Sequence, residues 1–324
     1  MNPLVSESTL IKSSKIKSLA IESAPSHAVL AIDTLKELNT RSTLQGLLRL
    51  ATHLLVLGIS GYVWGTNMGH NWAIALPALV IYGFGLAAMF APLHECSHRT
   101  AFAHNTLNDV ICGVAGVLSL YNSNFYRRYH KWHHRYAQDP DKDPELSDPV
   151  PQTMGDYLLA ISGLPWWWGK LKTHARVALG RLENYPFIPE NARAEVIQST
   201  RLQLAVYAIA ILISIIGHQP WFVLYWLLPL FVGQPILRFI LMAEHTGCSR
   251  DRNPFTNTRS TMTLFPFQFF LWNIPFHAEH HLYPSIPFYQ LPSAHQHLSQ
   301  HFTHVDQGYI KVNHDIVANF NTAV

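Results

Sequence analysis

Three short histidine clusters carry the chemistry available to this sequence: His94-Glu95-Cys96-Ser97-His98, His130-Lys131-Trp132-His133-His134 and His277-Ala278-Glu279-His280-His281. On a helix, residues i, i+3 and i+4 share a face, so each cluster can aim its imidazoles into one small volume. Imidazole suits iron, zinc, copper and nickel. A zinc site needs only three or four ligands, so the eight histidines of these clusters argue for two metal ions. Neutral nitrogen ligands leave such ions strongly electrophilic, which fits iron that activates O₂. His245, in Met242-Ala243-Glu244-His245-Thr246-Gly247, stands just past an apolar stretch and is expected as a ninth ligand.

Other polar residues are candidates to support the ligands. Asn273, four residues before His277, could add an amide or a water-bridged contact. In the run Asp139-Pro140-Asp141-Lys142-Asp143-Pro144-Glu145, prolines and the missing glycine exclude an EF-hand loop. Asp139 and Asp143 are instead expected to accept an N–H from a ligand histidine, and Glu95 and Glu279 inside the clusters are candidates for the same duty. The isolated histidines, namely His27, His53, His70, His104, His174, His218, His295, His297, His301, His304 and His314, are read as structural or exposed.

Four apolar stretches must position these clusters: Leu47–Trp64, Trp72–Leu93, Leu202–Gly217 and Trp221–Met242. They form two hairpins, joined by Gly65–Asn71 and Gly217–Pro220, turns without formal charge that suit the translocated side. Trp64, Trp72 and Trp221 stand there as an interfacial belt would place them. No Lys or Arg occurs between Ala51 and His98 or between Leu202 and Leu237, so both termini and the histidine clusters are assigned to the cytosol. Leu107–Tyr121 is short and glycine-interrupted and reads as re-entrant or interfacial. Leu164–Lys170, with three tryptophans beside lysines, reads as lying on the membrane surface. Ala28–Leu38 could form a small amphipathic surface helix.

Composition agrees. Charged residues are 13% of the 324-residue chain, against about a quarter in soluble domains. Twenty histidines nearly match the 23 Lys and Arg together. A net charge of +3 implies no nucleic-acid partner. Cys96, Cys112 and Cys248 lack the spacing of a metal or disulfide framework, and the first 45 residues lack a secretory signal. The expected organisation is an N-terminal cytosolic tail (1–45), one transmembrane and diiron domain (46–298) and a C-terminal cytosolic tail (299–324). The fold class is an all-α integral membrane protein, with four transmembrane helices in two hairpins and a cytosolic helical cap holding the diiron site.

From about Gly83 to Leu298 the sequence resembles the membrane fatty acid desaturase superfamily. The likeness lies in the H-x-x-x-H, H-x-x-H-H and H-x-x-H-H boxes in that order, with Asn124-Phe125-Tyr126-Arg127-Arg128-Tyr129 before the second and Leu282-Tyr283-Pro284 after the third. The resemblance implies two non-haem irons, O₂ as co-substrate and an electron donor such as ferredoxin. It assigns metal binding and catalysis to His94, His98, His130, His133, His134, His277, His280 and His281, with His245 as the further histidine of several members. Leu241 stands where stearoyl-type members place an asparagine. His277 replaces the glutamine usual in front-end desaturases, and no His-Pro-Gly-Gly signature of a fused cytochrome-like module occurs, so electrons must come from a separate protein. The implied activity is desaturation of an acyl chain carried by acyl carrier protein, coenzyme A or a glycerolipid. Hydroxylation or ketolation of a lipid or carotenoid, alkyne formation and alkene-forming decarboxylation use the same boxes. A metal-binding or transport protein is the non-enzymatic rival, disfavoured because no intramembrane acid or broken helix pair marks an ion path. Arg127, Arg128, Arg176 and Arg181 could meet an acidic carrier or donor, or lipid phosphates.

Overall fold

The computed structural model describes residues 29–147 and 149–321. His27, Ala28 and the stretch read for a secretory signal up to there lie outside the described residues. The described chain is mostly helical: α1 (Ile32–Leu38), α2 (Thr43–Asn67), α3 (Trp72–Ala87), α4 (Phe90–Ser97), α5 (Asn105–Ser119), α6 (Ser123–Tyr136), α7 (Met154–Ile161), α8 (Leu164–Ala178), α9 (Glu190–Ile216), α10 (Leu228–His245), α11 (Phe265–Phe270), α12 (His277–Leu282), α13 (Leu291–Leu298) and α14 (Tyr309–Ala318). Two strands depart from the all-helical expectation. β1 (Arg259–Met262) pairs in parallel with β2 (His304–Gln307).

Among the described residues, four helices are long and apolar enough to cross a membrane: Thr43–Asn67, Trp72–Ser97, Glu190–Ile216 and Val223–His245. Their outward faces carry exposed Leu47, Leu55 and Ile59 on α2 and Ile209, Ile213 and Ile216 on α9. Water would penalise apolar faces of that size, whereas lipid accepts them. The second of these helices breaks at Ala88–Met89, and α4, buried along its whole length, continues it inward with His94. The third begins at Glu190, twelve residues before the apolar stretch, which adds about 18 Å of helix below it.

Packing between the spans relies on small residues. α3 lies against both α2 and α10. A Cβ on Gly233 would stand 1.9 Å from the Gly83 carbonyl oxygen, and one on Gly83 would stand 2.2 Å from that of Pro229. Backbones approach this closely only where neither residue has a side chain, the usual device of helix pairs in lipid. Trp64 is not a lipid-facing anchor. It is buried and donates its indole N–H to the Leu224 carbonyl at 2.9 Å, while Trp72 and Trp221 are exposed.

Below the spans, α5 and α6 carry the chain past α4. At 15 residues, α5 is about 22 Å long and packs along α4, too short to cross the roughly 30 Å of a hydrocarbon core. The tryptophan-rich segment opens α8. Leu120, in the left-handed region at φ 60°, ends α5, and the Asn122 side chain caps α6 by accepting the Phe125 N–H at 2.9 Å. Residues 304–318 are integrated with this layer, because β2 pairs with β1 and α14 packs on α10.

Candidate metal centre

The nine histidines gather from four helices and the residue that caps α4. α4 brings His94, the residue capping its C-terminus is His98, α6 brings His130, His133 and His134, α10 brings His245, and α12 brings His277, His280 and His281. They fall into two groups. Nitrogens of His94, His98, His130, His134 and His280 lie within 4.8 Å of one another, as do those of His133, His245 and His281. His277 joins the second group through its Nε2, which is 3.2 Å from Nε2 of His245. The groups touch where the rings of His134 and His281 stack at 4.2 Å.

Several of these nitrogens face one another. Nε2 of His134 is 3.0 Å from Nε2 of His130 and 3.1 Å from Nε2 of His280. Buried imidazole nitrogens of His94, His98, His130, His134, His277, His280 and His281 have no hydrogen-bond partner. Buried polar atoms are normally satisfied, so unpartnered imidazole nitrogens on rings whose Nε2 atoms approach one another fit a cation-binding centre. Burial pushes the pKa of His98 down to about 3 and holds His130, His134, His277, His280 and His281 well below the ordinary value. Neutral imidazole is the form that binds metal.

Two histidines have an assigned proton. Nδ1 of His133 lies 2.9 Å from Oδ1 of Asp143, and Nδ1 of His245 lies 3.0 Å from the Asn257 carbonyl. Both acceptors lack a proton to give, so each Nδ1 donates and each Nε2 keeps its lone pair. Burial opposes charge on His133, but Glu145 and Asp143 outweigh it and raise its pKa. Burial likewise opposes charge on Asp143, yet the His133 bond and the amides of Glu145 and Gln138 hold its pKa low.

The remaining candidates stand farther back. Asp139 accepts the Asp141 N–H within its own turn. Asn273 donates to the Phe288 carbonyl at 2.9 Å. Glu95 accepts Thr100 Oγ1 and the Phe288 N–H, which fixes α4 to the segment after the third cluster. Glu279 accepts Ser260 Oγ and pairs with His295 Nδ1, both at 2.5 Å, and so anchors α12 to β1 and α13. His53 meets the Gly85 carbonyl and His174 the Lys170 carbonyl. Arg127, Arg128 and Arg176 pair with Asp109, Glu195 and Glu183.

Sequence reasoning missed Glu244, Glu145 and Arg259. Oε2 of Glu244 is 3.6 Å from His277 Nε2, and Oε2 of Glu145 is 3.5 Å from His133 Nε2. Adjacency to His245 was the available signal for Glu244. Arg259 donates to the Ala243 and Thr246 carbonyls at the end of α10 and to Asp306 on β2. Toward the spans, Tyr126 stacks on His130 at 5.1 Å and Phe90 lies 5.9 Å from His94, an aromatic surface against the metal centre.

The sequence model of the fatty acid desaturase family matches residues 70–313. The chain belongs to the fatty acid desaturase family. It is a desaturase-like oxidoreductase and an integral membrane protein, and the family is iron-dependent. A sphingolipid delta(4)-desaturase/C4-monooxygenase of Homo sapiens is 28% identical over 76% of this chain and 71% of its own. The dihydrorhizobitoxine desaturase of Bradyrhizobium elkanii is 26% identical over 74% and 70%. An sn-1 oleoyl-lipid 12-desaturase of a Picosynechococcus species is 24% identical over 71% of each chain.

Proposed function

We propose that this desaturase holds two irons and uses O₂ and electrons from a separate protein to dehydrogenate a fatty acyl chain. The observation that carries this is the pair of touching imidazole groups, to which His94 and His245 come from the C-terminal ends of two apolar helices. His94, His98, His130, His134 and His280 would hold one iron, and His133, His245, His277 and His281 the other. Bound iron supplies the oxidising power that removes hydrogen from an unactivated carbon. The chain's own residues keep the imidazoles other than His133 neutral by burial, orient His133 and His245 through Asp143 and Asn257, and offer Phe90 and Tyr126 as an apolar wall that excludes water.

The spans are read as two hairpins with α5, α6, α12 and the C-terminal layer forming a cytosolic cap. The distribution of Lys and Arg supports this orientation. The lipid-linked substrate named for the Picosynechococcus relative favours an acyl chain esterified to a lipid. The combined desaturase and monooxygenase named for the human relative favours hydroxylation as the second reading, because the first hydrogen abstraction is common to both outcomes.

Metal analysis of the purified chain tests the iron assignment. Two irons per chain are expected, and H133A or H280A should lower that content and abolish activity. An active preparation with stoichiometric zinc alone would overturn it. Cysteines placed at Met68 and Gln219 should react with an impermeant reagent from outside the cell. Labelling at Gln152 from that side would contradict the orientation.

A further inference from the structure

Glu95, Asp143 and Glu279, the buried carboxylates described above, each accept at least two hydrogen bonds. Glu244 differs. Its Oε1 is enclosed without a partner, and its Oε2 lies 3.6 Å from His277 Nε2, the same nitrogen that approaches His245 Nε2. Arg238 on the same helix gives its Nη2 to the Tyr121 hydroxyl. A carboxylate with an enclosed, unpartnered oxygen is unfavourable there unless a cation meets it. Two adjacent ligands, each bound at about 2.1 Å to one ion, stand roughly 3 Å apart. The spacing between Glu244 and His277 is close to that of neighbours around a shared cation.

We propose that Glu244 gives a carboxylate oxygen to the metal position formed by His133, His245, His277 and His281, making that position mixed imidazole and carboxylate while the other stays all imidazole. This rests on the two-iron reading above. Both sets of mutually close ligand atoms contain only histidines, and Glu244 stands beside the second through its approach to His277, so the asymmetry follows from that one contact. Glu145 approaches His133 Nε2 in the same group, but its side chain is 36% exposed against 15% for Glu244, which leaves Glu244 the enclosed oxygen donor. A hard anionic ligand favours the ferric state, so the two irons differ in electronic environment and in potential.

The test is Mössbauer spectroscopy of the full chain loaded with ⁵⁷Fe in detergent, with iron content measured in parallel. Wild type should show two doublets of equal area. Replacing Glu244→Gln should lower iron content by up to about half, or shift one doublet and leave the other in place. Where E244Q does not accumulate as folded protein, Glu244→Asp keeps the charge with a shorter reach and should shift the same doublet. Variants that retain both irons with unchanged doublets would overturn the Glu244 assignment and leave the two-iron reading intact. A wild-type chain that takes up fewer than two irons would overturn both.

Discussion

Nδ1 of His133 donates to Oδ1 of Asp143 at 2.9 Å, and the same carboxylate accepts the backbone N–H groups of Gln138 and Glu145. The loop after α6 thereby fixes the ring that turns its Nε2 toward the second histidine group. Replacing Asp143→Asn keeps the shape and removes the charge, so iron affinity should fall by roughly 10–100-fold, as for other lost partners of metal-bound histidines. Competition with a chelator of known affinity measures this. Asp139→Asn, whose carboxylate serves the Asp141 amide, should leave affinity unchanged. Equal losses in both variants would contradict the role given to Asp143.

Arg259 ties the C-terminal layer to the end of α10, where Glu244 and His245 stand. Its Nη1 reaches the Ala243 and Thr246 carbonyls at 2.6 and 2.8 Å, and its Nε reaches Asp306 at 2.9 Å. Arg259→Met should lower stability by about 1–3 kcal/mol, since it leaves buried carbonyls and a carboxylate short of donors. Iron should also be retained less well. Thermal unfolding and metal content of the detergent-solubilised protein would show it, and an unchanged pair of values would refute the link.

Much of this site was legible in the sequence because histidine spacing on a helix face is a local property. The clusters at His94, His130 and His277 announce themselves in that way, and an arginine-free apolar stretch announces a span. Glu244, Arg259 and the pairing of Arg259–Met262 with His304–Gln307 were not legible, because each depends on which distant segment folds against which. Trp64 shows the same limit. A tryptophan at a span end reads as a lipid anchor, and only packing against Leu224 reveals that it points inward.

Acid should destabilise the metal-free protein. His98, His130, His134, His277, His280 and His281 have folded pKa values below the ordinary 6.5, that of His98 at about 3. As pH falls below 6.5 the unfolded chain takes up protons that the folded chain refuses, so stability is greatest above that pH and declines toward the folded values. His133, raised by Glu145 and Asp143, acts in the opposite sense, but it is one group against six. Stripped protein should therefore melt at a lower temperature at pH 5.5 than at pH 7.5. A higher melting temperature at pH 5.5 would contradict the burial of neutral imidazoles.

The two histidine groups are proposed to serve dehydrogenation of an acyl chain. Protein reconstituted in lipid with a ferredoxin-type reductant, ¹⁸O₂ and a saturated acyl lipid should yield a product lighter by two hydrogens and free of labelled oxygen, read by high-resolution mass spectrometry. An alcohol carrying ¹⁸O, or an acyl chain left unchanged while the reductant is consumed, would contradict it.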